Sequence, residues 1–305
     1  MTFVLIKAFA FVFAIFLGYL LKRVGFFAPD DYKLISKIML NVTLPASLIT
    51  SFIDFDMELS LLLIILLGLG TNLLMIFWGY LASRKKDRAA KAFYILNFSG
   101  YNIGSFSMPF VQSFFGPFAV VVASMFNTGN SIMTTGGTCA VVAGVSGADQ
   151  RSSVKEVMKT LFSSVSFDTC ILLLIFALTG VQLPAAIISI ASLIGAANGF
   201  LAMLAIGMMF EIKFDSNYFG QVAHTLFARY LSSALFALLF YFCLPFSLEI
   251  RQVLVLVVFS PISALAPAFT EKSKGDSALS SFASSLSIAI SVTIMIVLLL
   301  VMQIS

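Results

Sequence analysis

Ten apolar stretches separated by short polar joints make up almost the whole chain. Each stretch is long enough to cross a hydrocarbon core of about 30 Å as a helix. The pattern therefore predicts an all-α membrane protein with ten transmembrane helices. The predicted helices cover residues 3–21, 33–53, 59–82, 91–115, 117–145, 160–180, 184–210, 222–245, 249–270 and 277–303.

The fourth and ninth stretches change from apolar to polar half-way along. In a bilayer each unpaired backbone N–H or C=O costs several kcal/mol, and proline or clustered glycine weakens the helical ladder. Two interrupted segments at matching positions of two half-chains are a sequence pointer to a transport site. The residues expected to break the helices are Gly100, Gly104 and Pro109 in the fourth stretch and Pro261 and Pro267 in the ninth.

The chain divides into two halves of five stretches each. An odd number of spans makes the second half enter the membrane upside down, as in an inverted repeat. We therefore predict a first five-helix repeat at 1–145, a cytoplasmic linker at 146–159 and a second repeat at 160–305. At an offset of 160 residues, Lys91 aligns with Arg251, in agreement with this division.

Composition and charge agree with a membrane location. The chain is 60% hydrophobic and only 10% charged, against about 25% charged in soluble domains. With the N-terminus outside, sixteen of the 18 Lys and Arg residues fall in inner loops, Arg229 among them. We expect both termini outside, the lipid bilayer as partner, no nucleic acid, and no cation inside a span. Asp54, Asp56 and Glu58 would lie in an outer loop.

Nothing in the sequence predicts an enzyme or a metal site. The one histidine, His224, is expected at the inner interface, and there is no Gly-x-Ser-x-Gly or phosphate-binding glycine loop. Cys139, Cys170 and Cys243 all fall in apolar stretches, and an odd number of cysteines there suits packing and not a disulfide framework or a metal site. We expect no catalytic residue, no metal and no bound cofactor.

Polar residues around the breaks are the candidate substrate site. A half-helix that starts beyond a break directs its N–H groups at the gap and favours an anion, and amides can donate to a carboxylate. The alternative is a kinked helix packed through small residues, with the asparagines as interhelical hydrogen bonds. The candidate residues are Asn97, Ser99, Tyr101, Asn102, Ser105, Asn127, Asn130, Ser263 and Ser287.

Three further residues stand out inside apolar stretches. Asp168 is an acid well inside the sixth stretch, which makes it a candidate for proton or sodium coupling. It lies nine residues beyond Lys159, so contact with the inner surface is the alternative. Asn41 and Pro45, one helical turn apart in the second stretch, suit a packing or hinge role as well as ligand contact.

At residues 18–48, 99–117 and 126–132 the chain resembles the auxin efflux carrier family of membrane transporters, which includes plant exporters and bacterial permeases. Two positions depart from the family pattern. Ser107 stands where many members have Gly, and Asn127 stands where many bacterial members carry Asp. The second departure removes an ionisable group and with it a route for proton coupling at that position.

The resemblance implies a ten-helix fold in which helices 1, 2, 6 and 7 form a scaffold and often a dimer contact. Helices 3–5 and 8–10 would form a transport domain, and broken helices 4 and 9 would cross at the substrate site. The plant members have large cytosolic loops that this sequence lacks, so the resemblance implies a bacterial permease of the cytoplasmic membrane. The hypothesis is a homodimeric secondary transporter that moves a small mono- or dicarboxylate by alternating access. The alternatives are a channel of the same fold and a membrane ligand sensor that does not transport.

Overall fold

The computed structural model describes residues 2–52, 59–146, 155, 158–159, 162–210 and 216–302. Within these ranges the regular structure is helical and contains no strand, which confirms the predicted all-α class. Most of the predicted linker, and the acidic trio near residue 56, lie outside the described residues.

The first half of the chain forms helices α1 to α7, and the second half forms α8 to α14. The first seven are α1 (Thr2–Arg23), α2 (Tyr32–Ser51), α3 (Leu63–Ser83), α4 (Arg88–Phe98), α5 (Met108–Phe115), α6 (Pro117–Ile132) and α7 (Thr138–Ser146). The others are α8 (Val165–Thr179), α9 (Ala185–Gly195), α10 (Asn198–Met209), α11 (Ser216–Cys243), α12 (Leu248–Val258), α13 (Ala266–Lys272) and α14 (Ser277–Val301).

Among the described residues, five helical stretches are long and apolar enough to cross a membrane by length and composition. They are α2, α3, α9 together with α10, most of α11, and α14. Large apolar side chains are exposed along them, for example Phe77, Leu193 and Phe227. Exposed apolar area on this scale indicates contact with lipid and not with water, so the protein is membrane-embedded.

Three π-helical turns interrupt the helices in the described part of the first half. They cover Met39–Thr43 inside α2, Ile103–Ser107 before α5, and Met133–Gly137 between α6 and α7. A π turn lets one extra residue into the helix and frees backbone groups, and such turns are frequent at functional sites. All three contain or adjoin residues that sequence analysis singled out, namely Asn41, Gly104 and Asn130.

The predicted breaks in the fourth and ninth stretches are present. Helix α4 ends at Phe98 and the chain turns helical again only at Ile103, while α12 ends at Val258 and α13 begins at Ala266. Gly100 and Pro261 lie within these unwound segments. Pro109 and Pro267 lie just beyond the unwound segments: Pro109 follows the π turn that begins at Ile103, and Pro267 lies in the first turn of α13, where a missing N–H costs nothing. Gly104 lies in the π turn.

Glycines allow the helices to pack backbone against backbone. A Cβ on Gly68 of α3 would lie 2.1 Å from the Phe126 carbonyl oxygen of α6, and one on Gly207 of α10 would lie 1.9 Å from the Ile15 carbonyl oxygen of α1. Small residues at such contacts are the usual means of helix association in membranes. They bring α3 against α6 and α1 against α10.

We predict that Gly68→Ala lowers the melting temperature of the purified protein in detergent. The added methyl group must push α3 away from α6, and overpacking of this kind costs about 1–3 kcal/mol. Gly70→Ala is the matched control in the same helix, because its Cβ has no heavy atom within 4 Å. That variant should melt at the parent's temperature or above it, and equal melting of the two variants would contradict the close contact.

Candidate functional site

The two unwound segments contact each other. Tyr101 and Ile262 form an isolated antiparallel bridge, and the backbone N–H of Asn102 donates to the Pro261 carbonyl oxygen at 3.0 Å. Gly100 has a φ of +77°, a conformation that residues with a Cβ rarely adopt. The glycine is therefore required for the sharp turn that presents Tyr101 to the second segment.

Asparagine side chains take the place of a missing helical turn at the first break. Asn130 of α6 accepts from the Tyr101 N–H at 3.0 Å and donates to the Tyr101 carbonyl oxygen at 2.9 Å, as a neighbouring strand would. Asn72 of α3 accepts from the Gly100 N–H at 2.8 Å and donates to Asn130 Oδ1 at 3.2 Å. Asn130 thus makes the interhelical hydrogen bonds that were the alternative to substrate binding. Sequence analysis missed Asn72, although an amide within an otherwise apolar stretch was a readable signal.

Hydroxyl groups of α14 perform the same task at the second break. Ser287 Oγ accepts from the Ile262 N–H at 3.0 Å, and Ser291 Oγ donates to the Phe259 carbonyl oxygen at 2.7 Å. Tyr230 of α11 donates its hydroxyl to the Ser287 carbonyl oxygen at 2.7 Å. Ser287, a predicted substrate residue, therefore supports the backbone in this conformation.

The most highly coordinated side chain at the junction is Arg229 of α11, which is 0% exposed. Its guanidinium carbon lies 5.0 Å from the centre of the Tyr101 ring. Within the part of the chain that the structure describes, Arg229 has no ion-pair partner. Its Nη atoms instead donate to carbonyl oxygens of both broken segments: those of Asn97 (3.4 Å), Phe98, Ser99 (3.4 Å), Gly100 (2.9 Å), Ser260 (3.3 Å) and Pro261 (3.3 Å).

The position of Arg229 corrects two expectations from the sequence. We expected this residue in an inner loop or at the interface, and we expected no cation inside a span. Because α11 runs from Ser216 to Cys243, Arg229 lies near its midpoint. The hydropathy pattern had already placed this arginine two turns inside the predicted span 222–245. Counting it with the inner loops, to fit the charge rule, was the mistake.

Asn97 and Ser99 hold α4 in place and their polar groups are already bonded. Asn97 Oδ1 accepts from Ser280 Oγ at 2.7 Å, and its Nδ2 donates to the Phe93 carbonyl oxygen at 2.8 Å. Ser99 Oγ donates to the Ile95 carbonyl oxygen at 2.8 Å. Since Asn97 is fully buried, a substrate could bind it only after these contacts open.

A cavity of about 20 Å³ lies where α5 and α6 face α2 and α8. Asn127 contributes an amide side chain to the cavity lining, and this residue is only partly buried. Asn127 Oδ1 accepts from Asn130 Nδ2 at 3.1 Å, which connects the cavity to the first break. The other lining residues are Leu44, Leu48, Met108, Ser124, Thr128, Ser166, Phe167 and Cys170.

A second cavity, of about 10 Å³, lies between the C-terminal end of α4, α7 and α13. Its polar lining consists of Ser99, Thr134, Thr138 and Ser263. The predicted substrate residues Asn127 and Ser263 thus line different cavities. Each cavity has room for about one water molecule and for no larger solute.

The remaining predicted residues divide between the junction and the protein surface. Asn102 accepts a hydrogen bond from Ser105 Oγ beside the first break. Asp168 lies in the first turn of α8 and not well inside a helix as expected. It follows two lining residues of the larger cavity, and its Oδ1 is buried without a hydrogen-bond partner among the described residues. Asn41 is exposed and donates to the Lys37 carbonyl oxygen of its own helix, while Pro45 is buried. The structure does not bring Asn41 to the junction.

Residues 3–301 match the sequence model of the membrane transport protein family. The chain belongs to this family. The match confirms the resemblance to auxin efflux carrier-type transporters, and it covers nearly the whole chain. No curated protein has a matching sequence. The junction of broken helices described above is therefore part of a membrane transporter of the auxin efflux carrier and permease kind.

We predict that Asn130→Ala destabilises this membrane transport protein by about 2–4 kcal/mol. The substitution leaves the buried N–H and C=O of Tyr101 unpaired, and each unsatisfied group costs about 1–3 kcal/mol. Asn130→Asp should fall between the parent and Asn130→Ala, because a carboxylate still accepts from the Tyr101 N–H. Asn41→Ala is the control, since Asn41 is exposed. Thermal unfolding in detergent measures all three, and an Asn130→Ala protein as stable as the control would refute the backbone role.

Proposed function

We propose that the protein is a secondary transporter that moves a small organic carboxylate by alternating access around the two broken helices. The observation that supports this proposal is the contact between the two unwound segments. Irregular backbone at membrane depth is tolerated where it is buried in protein or lines a cavity. Substrate sites of many transporters lie where such discontinuous helices meet.

The larger cavity is our candidate substrate site. Asn127 offers an amide that can donate to a carboxylate. The hydroxyl groups of Ser124, Thr128 and Ser166 now donate to main-chain carbonyl oxygens and would have to turn toward the substrate when the cavity opens. The cavity lies between α2 and α8 on one side and α5 and α6 on the other, so movement of one pair relative to the other would widen it. Its volume of about 20 Å³ corresponds to a closed conformation in this reading. Asn102 and Ser105, beside the first break, would join the site when it opens.

The charge distribution at the junction favours an anion. Arg229 brings a positive charge that no acidic side chain neutralises among the described residues. Charges of one sign near a cleft with low-dielectric walls raise the local concentration of the opposite ion. The carbonyl oxygens at the helix ends balance part of this charge, but no carboxylate among the described residues pairs with it, and this is the electrostatic reason to expect carboxylates instead of cations.

Helix packing supports a division into scaffold and transport domain. A Cβ on Gly195 of α9 would lie 2.9 Å from the Ser47 nitrogen of α2, and α1 packs equally closely on α10. We propose that α1, α2 and α8–α10 form the scaffold and that α3–α7 and α11–α14 form the moving domain. Two inverted five-helix repeats, a homodimer through the scaffold and a cytoplasmic membrane location with both termini outside belong to the same proposal.

The proposed function is tested by uptake of labelled mono- and dicarboxylates into proteoliposomes. A secondary transporter gives saturable uptake and counterflow, whereas a channel gives neither and a sensor gives ligand-dependent stabilisation without flux. A thermal-shift screen selects the substrates, because ligand binding to the folded protein raises its melting temperature. Absence of uptake for every carboxylate that stabilises the protein would overturn the proposal.

We predict that Asn127→Ala lowers kcat/KM for uptake about 10- to 100-fold, because one hydrogen bond to a charged group contributes about 1.5–3 kcal/mol. The melting temperature should change little, since Asn127 makes one contact with Asn130 and supports no unwound backbone. Asn41→Ala is the control and should transport like the parent. Unchanged uptake by Asn127→Ala would remove this residue from the site.

Coupling to protons or sodium is assigned to Asp168, whose Oδ1 has no hydrogen-bond partner among the described residues. We predict that Asp168→Asn retains counterflow but no longer concentrates substrate in response to a pH or sodium gradient. Intramembrane acids of transporters commonly carry such protons or ions. Uptake that responds to both gradients as the parent does would exclude this role.

A further inference from the structure

The carbonyl oxygens around Arg229 come from the C-terminal ends of two half-helices. Four belong to the end of α4 and the segment after it, and two belong to the segment after α12. The C-terminus of a helix carries a partial negative charge of about half an electron. In transporters with discontinuous helices, such ends and unwound carbonyls coordinate the coupling cation. This cluster of oxygens is therefore a cation site by its chemistry.

We propose that Arg229 is a tethered cation that occupies this site permanently, in place of a dissociable sodium ion. Nη1 faces the end of α4, and Nη2 bridges the two segments through the oxygens of Gly100, Ser260 and Pro261. The guanidinium thus joins the two breaks whether or not an ion gradient exists. The claim that Arg229 holds the junction together stands on these contacts alone. Its role during transport rests on the proposed function.

Two features separate this role from ordinary packing. The six acceptors are all main-chain oxygens, which bind a cation of any identity, and the counter-charge comes from helix ends instead of an acid. The Tyr101 ring, 5.0 Å from the guanidinium carbon, adds a further surface that attracts cations. A small free cation should therefore replace the side chain when the side chain is removed.

The test is chemical rescue of Arg229→Ala. Its melting temperature in detergent is measured with guanidinium chloride at low millimolar concentrations and with choline chloride at equal ionic strength. We expect the variant to melt below the parent, and guanidinium to raise its melting temperature by about 3 °C or more at ten times the apparent Kd. Sodium chloride is a second arm, since the vacated oxygens should also accept sodium.

The parent and Arg251→Ala are the controls. Arg251 also donates to a carbonyl oxygen, that of Tyr241 at 2.7 Å, but it lies in α12 and outside the junction. Neither protein should be stabilised by guanidinium relative to choline. Stabilisation of either control to the same extent as Arg229→Ala would show a non-specific effect and overturn the proposal, as would an Arg229→Ala protein that does not respond.

A second pair of variants decides the question if Arg229→Ala cannot be purified. Arg229→Lys keeps a tethered cation, while Arg229→Met keeps a long side chain without charge. The proposal expects a monodisperse Arg229→Lys protein and a large loss of folded protein for Arg229→Met. Equal behaviour of the two would overturn it, because packing alone would then explain the arginine.

Stability and transport measurements separate this inference from the proposed function. Rescue by guanidinium with no carboxylate transport by the parent would support the tethered cation and refute the transport proposal. Carboxylate counterflow by the parent without rescue of Arg229→Ala would do the reverse. Where both hold, guanidinium should also restore counterflow to Arg229→Ala.

Discussion

The structure depends on how unpaired backbone groups are satisfied where two helices unwind inside an apolar protein. Orphan N–H and C=O groups are too costly to leave in a low-dielectric environment. Amide side chains of α3 and α6 pair the N–H and C=O groups of the first break, and serines of α14 pair those of the second. Arg229 binds carbonyl oxygens of both. Without these partners the unwound segments would have no stable position.

These supports have different consequences for a transport cycle. The asparagines and serines are neutral and fix geometry, whereas the arginine is charged and has no acidic partner among the described residues. Charge of this kind selects the sign of a solute without contacting it. The proposed function assigns three tasks to different groups: asparagines and serines hold the breaks, Arg229 attracts an anion, and the polar groups of the larger cavity bind it.

The sequence predicted the helical class, the places where the fourth and ninth stretches unwind and the family. Apolar runs and clustered glycine and proline are local signals, so they are readable without knowledge of packing. The partners of the breaks were harder to predict, because they lie far away along the chain. Asn72 and Arg229 are single polar residues in apolar stretches, and nothing local shows that each faces an unwound segment.

The amide pair between α3 and α6 has a mechanical consequence. Asn130 contacts Tyr101 through two hydrogen bonds in opposite directions, so sliding α6 along the first break by even one residue would break both together. Asn72 adds a third helix to the same assembly. These helices must therefore travel as a rigid body, and the shear plane of any conformational change has to pass on the far side of Asn127, through the contact with α2 and α8.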